Sequence, residues 1–133
     1  MIINPGIVGI DISKHRLDVF DPAIGRSEPA ANTAEAVTAL AVRLAAAGVS
    51  VIFEATGAYD KLLRQALAAA GVTFKRVNPG RARAFARAAG FLAKTDPVDA
   101  RMLAVMGQSL QLAAEPPREP ERERLALLHK RRD

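Results

Sequence analysis

Two short apolar runs in this chain each end on a carboxylate, and that limits the folds open to it. Ile7-Val8-Gly9-Ile10 runs into Asp11, and Val49-Ser50-Val51-Ile52-Phe53 runs into Glu54. Runs of this length with little polar alternation are what the central strands of a parallel sheet look like, buried on both faces. A carboxylate at the end of such a strand is desolvated at a cost unless a cation meets it. If the two strands are neighbours, two acids arrive at one rim. Two further carboxylates stand in Lys94-Thr95-Asp96-Pro97-Val98-Asp99-Ala100. Three residues apart on a helix, Asp96 and Asp99 would share a face. Oxygen-rich clusters of this kind suit Mg²⁺ or Mn²⁺, ions that catalyse phosphoryl transfer.

The rest of the chain supplies the elements such a sheet needs. Leu17 to Phe20 reads as the hairpin partner of Ile7 to Asp11, and a third strand is expected near Arg26 to Ala30, after the turn residues Asp21-Pro22 and Gly25. Asn32 or Thr33 caps a helix on which Val37, Leu40, Ala41 and Leu44 recur at helical spacing, and Gly48 ends it. Thr56-Gly57 breaks the strand that ends in Glu54. A second amphipathic helix carries Leu62, Leu63, Ala66, Leu67 and Ala70 up to Gly71, and Val72 to Val77 reads as a strand with a basic end. Asn78-Pro79 opens a third helix through Ala89, with Phe85, Ala88 and Leu92 as its apolar stripe and Arg83 and Arg87 on another face. Asp96-Pro97 opens a fourth, running to about Met106. A meander followed by alternating helices and strands predicts an α/β domain with a mixed sheet and helices on both faces. Right-handed crossovers place the strand ending in Glu54 beside the one ending in Asp11. Pro116-Pro117-Arg118-Glu119-Pro120 reads as a linker, and Glu121 to Arg132, with Leu125 and Leu128, as the start of a helix that continues further.

Charge narrows the partner. The chain carries a net +5, and residues 75–101 hold all of that excess: Lys75, Arg76, Arg81, Arg83, Arg87, Lys94 and Arg101 against Asp96 and Asp99 alone. A basic patch beside an acidic cluster is expected where a polyanion is held while metal ions act on it; a solvated helix face gives the same pattern. Without cysteine there is no disulfide framework, thiolate zinc site or thiol nucleophile. His15 and His129 have no ligand-like spacing. No apolar run is long enough to span a bilayer, and no basic segment followed by an apolar one opens the chain, so a cytoplasmic protein with no membrane partner is expected.

Each acid also has a bland reading. Asp11 can be a turn residue bonding its own backbone. Glu54 is harder to dismiss, because glutamate is a poor turn former and is rarely buried without a partner. Asp96 before Pro97 makes a good N-cap, with Asp99 then favoured in the first helical turn. Capping and metal binding are compatible, since a carboxylate has two oxygens. Thr56 and Gly57 could receive a phosphate at a helix start, though helix starts need such residues anyway. Aromatic residues, 5% of the chain, are too few to argue for base-stacking platforms.

Taken in order, Gly9-Ile10-Asp11, Phe53-Glu54-Ala55-Thr56-Gly57, Val77-Asn78-Pro79, Phe85-Ala86-Arg87 and Leu92-Ala93-Lys94-Thr95-Asp96-Pro97-Val98-Asp99-Ala100 form a string of motifs. The string resembles the N-terminal domain of DEDD transposases of bacterial insertion sequences, the "IS one-ten" and Piv invertase-like family. That domain is RuvC-like, with the ribonuclease H-like fold. The resemblance implies a RuvC-like catalytic domain over residues 1–114, a Pro-rich linker over 115–120 and the first turns of a coiled coil over 121–133. It implies that Asp11, Glu54, Asp96 and Asp99 form the DEDD tetrad and bind Mg²⁺ or Mn²⁺ for DNA strand cleavage and exchange. Lys75, Arg76, Arg83, Arg87 and Lys94 are then expected to contact the nucleic-acid backbone. It also implies DNA as partner at the bacterial nucleoid, a structured guide RNA in some members, a homodimer or higher oligomer, and a later domain carrying a serine nucleophile. The competing expectation is a non-catalytic nucleic-acid-binding module that uses segment 75–101. A sugar-kinase-like phosphotransferase, which shares the Gly-Ile-Asp pattern, needs a longer chain with a second phosphate loop.

Overall fold

The computed structural model describes residues 6–90 and 98–110. The strands are β1 (Ile7–Ile12), β2 (Arg16–Asp21), β3 (Arg26–Ala31), β4 (Ser50–Glu54) and β5 (Phe74–Val77). The helices are α1 (Ala34–Ala47), α2 (Lys61–Ala70), α3 (Pro79–Ala88) and α4 (Ala100–Ser109), with a single 3₁₀ turn at Gly57–Asp60 ahead of α2. All five strands form one sheet in the order β3-β2-β1-β4-β5. β1, β2 and β3 are an antiparallel meander, while β4 runs parallel to β1 and β5 parallel to β4. This is the mixed sheet flanked by helices that a ribonuclease H-like domain requires.

Strand alternation sorts the side chains between two cores. Val8, Ile10, Ile12, Leu17, Val19, Val51 and Phe53 face α1 and α2, where they meet Val37, Leu40, Leu44, Leu63 and Leu67. Phe53 and Phe74 stack there with ring centroids 5.6 Å apart. The other face carries Ile7, Ile52 and Val77, covered by Ala82 and Ala86 of α3 and by Leu103 and Met106 of α4. Burying a side chain such as Phe53 or Leu103 is worth about 1.5–3 kcal/mol each, so both helical layers are needed to hold the sheet.

The helix ends follow local chemistry. Thr33 Oγ1 accepts from Ala36 N–H at 3.2 Å to start α1, and Gly48, at φ 68°, ends it in the left-handed region that costs glycine nothing. Asn78 Oδ1 accepts from Gly80 and Arg81 N–H, with Pro79 at the first helical position of α3. Two expectations need correction. The buried stripe of α3 is Ala82 and Ala86 with Phe85 partly covered, whereas Ala88 is exposed; two small residues one turn apart let α3 approach closely. Asp99 is not a residue inside a helix begun at Asp96. Its backbone is extended (φ −109°, ψ 180°) and it is itself the N-cap of α4, with Oδ1 accepting from Met102 N–H at 2.9 Å. Asp99 therefore stands ahead of the helix and not on one of its faces. Leu92, Lys94, Asp96 and the segments expected as linker and coiled coil lie outside the described residues.

β1 and α4 approach each other closely. A Cβ added at Gly9 would stand 2.0 Å from the Ala100 carbonyl oxygen and 2.8 Å from the Ala104 amide. At the other end of the helix, Gly107 lies against Ile7 and Ile52. α4 thus runs antiparallel to β1 and delivers its N-terminus to the carboxyl end of that strand.

Candidate active site

The carboxyl ends of β1 and β4 form the rim predicted from sequence. Ile10 pairs with Phe53 in parallel register, so Asp11 and Glu54 come next, on neighbouring strands with Cα atoms about 5 Å apart. Both lie on the α4 face, because Gly9 and Ile52, two residues earlier, do. Asp99 reaches the same rim from the N-cap of α4. One acid escaped sequence reasoning. Asp18 on β2 is the direct antiparallel partner of Asp11, which puts Asp18, Asp11 and Glu54 in one row across three strands. Like charges directly opposite are unfavourable; Arg16 offsets the clash by holding Asp18 Oδ1 through Nη2 at 2.9 Å and Nε at 3.1 Å. The hairpin carried the signal: with Ser13 to Arg16 as its turn, residue 11 must face residue 18.

Among the described residues, burial and mutual repulsion of the acids outweigh the nearby positive charge. Burial pushes the Asp11 carboxyl above its ordinary value, and the charges of Asp18 and Asp99 push it the same way. Burial and then the charge of Asp11 push Glu54 up, while the guanidinium of Arg83 pulls it partly back. These shifts tie Asp11, Glu54, Asp99 and Arg83 into one electrostatic neighbourhood. Among the described residues, no three His, Cys, Asp or Glu side chains close into a group that could by itself hold a metal ion; Asp96 lies outside that set. The described part offers oxygen donors only, with burial and mutual repulsion that outweigh the pull of Arg83. That donor chemistry fits a hard divalent cation such as Mg²⁺ or Mn²⁺ and not a thiolate- or imidazole-seeking metal.

The basic residues do not form a single strip. Lys75 pairs in register with Ile52 and Arg76 with Phe53, so alternation sends Lys75 to the α3–α4 side of the edge strand and Arg76 to the α2 side. Arg83 is half-buried on α3 and Arg87 is exposed; Lys94 lies outside the described residues. Arg76 is also engaged: its Nε donates to Asp60 at 2.8 Å. Sequence reasoning missed Asp60, which is fully buried, although the Asp60–Arg64 spacing of four was visible. Thr56, weighed as a phosphate receiver, instead gives its backbone N–H to Asp60. Asn32 Nδ2 donates to the carbonyls of Ser13 and Tyr59, at 2.9 and 3.0 Å, and so ties the β1–β2 turn to the 3₁₀ turn beside the rim.

A family model described as a transposase, of the DEDD type named for IS110, matches residues 8–133. A comparison with curated proteins finds no match. No helix among the described residues is long and apolar enough to cross a membrane.

Proposed function

Because the chain belongs to the IS110-type DEDD transposase family, we propose that its carboxylate rim is the seat of metal-dependent DNA strand cleavage and exchange. The observation that carries this reading is the adjacency of Asp11 and Glu54 at the ends of the two central strands, with Asp99 brought to them by α4. In this reading Asp11, Glu54, Asp96 and Asp99 hold Mg²⁺ or Mn²⁺. When bound, the ion stabilises negative charge on the phosphoryl group under attack. The protein's own part is positional. Gly9 lets α4 sit directly on β1, which fixes the height of Asp99 above the strand ends. Asp99 gives Oδ1 to the Met102 N–H, and a carboxylate has a second oxygen that could take a ligand. The N-terminal end of α4 and the charge of Arg83 favour a phosphate at this rim. Lys75, Arg76, Arg83, Arg87 and Lys94 hold the DNA backbone, with Lys75 and Arg76 on opposite faces of the β5 edge.

Calorimetric titration with Mg²⁺ and Mn²⁺ tests the reading. Binding by the wild type, lost in Asp11→Ala and Glu54→Ala together with nicking of supercoiled DNA, is the expected outcome. A second reading, a non-catalytic nucleic-acid-binding module, rests on the excess positive charge of segment 75–101. DNA affinity indifferent to divalent metal and to both substitutions would select it.

We also propose residues 1–114 as the catalytic unit, 115–120 as a linker and 121–133 as a helix that pairs with a second copy. Joining two DNA ends in register calls for at least two such domains, and symmetric pairs are the commonest assembly. A structured guide RNA is the further partner this family resemblance suggests, and binding of an element-encoded RNA by the purified chain is its test.

A further inference from the structure

A second charged cluster lies on the α2 side of the sheet. Asp60, at the end of the 3₁₀ turn, is 0% exposed. Its two oxygens are taken by two arginines from different elements: Arg64 Nε donates to Oδ1 at 2.9 Å from one turn along α2, and Arg76 Nε donates to Oδ2 at 2.8 Å from β5. The backbone N–H of Thr56 adds a third bond, to Oδ2 at 3.3 Å. One cation would neutralise a buried carboxylate. With two, the cluster carries surplus positive charge. Both arginines reach Asp60 through the inner nitrogen of the guanidinium, and their side chains remain 39% and 41% exposed. The ion pairs with Asp60 therefore run through Nε, and the half-exposed side chains keep their terminal amino groups out of those two bonds.

We propose that Arg64 and Arg76, aligned by Asp60, form a preorganised clamp for a DNA phosphodiester group. The proposal rests on the DNA-processing reading and adds a contact site to it. A guanidinium presents a planar fork that matches phosphate oxygens, and an arginine already held by a carboxylate loses less freedom on binding than a loose one. Position favours the same conclusion. Arg76 is in register with Phe53, the residue before Glu54, and Thr56 follows Glu54 by two. Clamp and rim thus share the carboxyl end of the sheet, on its two faces. A DNA backbone crossing that end with one phosphate at the rim brings neighbouring phosphates to the clamp.

The test is Arg64→Lys and Arg76→Lys, each keeping the charge and a donor for Asp60 while removing the fork. Fluorescence anisotropy with a short DNA duplex of arbitrary sequence should show roughly threefold to tenfold weaker binding per substitution, as for loss of a charge-assisted pair at a half-exposed site. Mg²⁺ affinity should not change, and neither should binding by Arg43→Lys, on the exposed side of α1. Asp60→Asn gives an independent check in the opposite electrostatic sense. It raises the net charge by one, so plain attraction predicts tighter binding, whereas a clamp that has lost its aligning acceptor predicts weaker binding. Should that variant fail to fold, the two lysine variants decide alone. Wild-type binding with undiminished affinity in both lysine variants overturns the clamp and leaves the DNA reading standing. A wild type that binds no DNA overturns both, and losses confined to an RNA hairpin overturn the assignment to DNA.

Discussion

Gly9→Ala is the sharpest perturbation this fold offers, because a single methyl group meets backbone on the far side. The added Cβ would stand 2.0 Å from the Ala100 carbonyl oxygen and 2.8 Å from the Ala104 nitrogen. A carbon and a carbonyl oxygen come no closer than about 3.3 Å even in favourable contacts. The N-terminal half of α4 must therefore withdraw by more than about 1 Å. No side chain can turn aside to spare it. α4 also carries Leu103, Ala104, Val105 and Met106, all buried, so a withdrawal loosens the whole second core. Overpacking costs about 1–3 kcal/mol, and with backbone as the obstacle the upper end applies, roughly a 10–20 °C fall in Tm for a domain of this size. Thermal unfolding followed by circular dichroism measures it. Gly107→Ala is the companion: its Cβ meets only side-chain carbons of Ile7 and Ile52, and alanine is favoured over glycine within a helix by up to about 1 kcal/mol. Its loss should be smaller. Metal affinity should fall in Gly9→Ala even under conditions where the variant is fully folded, since Asp99 travels with the helix. A Gly9→Ala protein with Tm within about 2 °C of wild type, or one no less stable than Gly107→Ala, would refute the claim that α4 rests on the β1 backbone.

In metal-free buffer, Asp11→Asn should stabilise the fold at neutral pH. Asp11 and Glu54 have folded pKa values raised above their unfolded ones, so the folded state binds more protons and loses stability as pH rises through those values; pH-dependent Tm should show wild type gaining on mild acidification and the variant gaining less. Added Mg²⁺ should raise the Tm of wild type and leave that of Asp11→Asn unmoved. Asp60 has the opposite sign: burial opposes its charge, but the bonds from Arg76, Arg64 and Thr56 outweigh burial and hold its carboxyl below the ordinary value. Its contribution is present above the unfolded carboxylate value and is lost as pH falls through the folded one, so Asp60→Asn should cost about 2–4 kcal/mol at neutral pH, from its lost charged hydrogen bonds, and flatten the acid limb of a denaturant series. Arg83→Ala with Arg87→Ala should reduce the salt dependence of DNA binding by about 0.7–0.9 per lost phosphate contact; an unchanged slope would assign both to a solvated face. Sedimentation of the whole chain against one ending at Glu115 should show a smaller monomer fraction in the whole chain, and equal fractions would refute pairing through the last helix.

The parts of this structure legible in the sequence are those fixed by local pattern. Apolar runs gave β1 and β4, and capping residues such as Thr33, Asn78 and the glycines at 48 and 71 gave helix ends. The pairing of Asp11 with Glu54 followed from the handedness of crossovers. What was not legible depends on register and on packing between distant segments. Asp18 belongs beside Asp11 only once the hairpin register is known. Asp60 is buried because β5 brings Arg76 to it from sixteen residues away. The start of α4 was read at Asp96-Pro97 because the dipeptide is a good cap locally, yet Asp99 takes that role. The split of Lys75 and Arg76 between faces follows from strand alternation, which a count of charges along the segment does not see.

The seat of α4 on β1 also orders events in time. Ala100 meets Gly9 across about 90 residues of chain, whereas β1, β2 and β3 meet through short turns. The meander can form while synthesis is still under way. The strip of Ile7, Gly9 and Ile52 stays bare until residues 99–107 have left the ribosome and docked. Asp99 reaches the strand ends in that same step, so a half-made chain holds Asp11, Asp18 and Glu54 without Asp99. Among the described residues, α4 is the helix whose docking brings Asp99 to the row of Asp18, Asp11 and Glu54, so the acids gather only when the far end of the domain is in place.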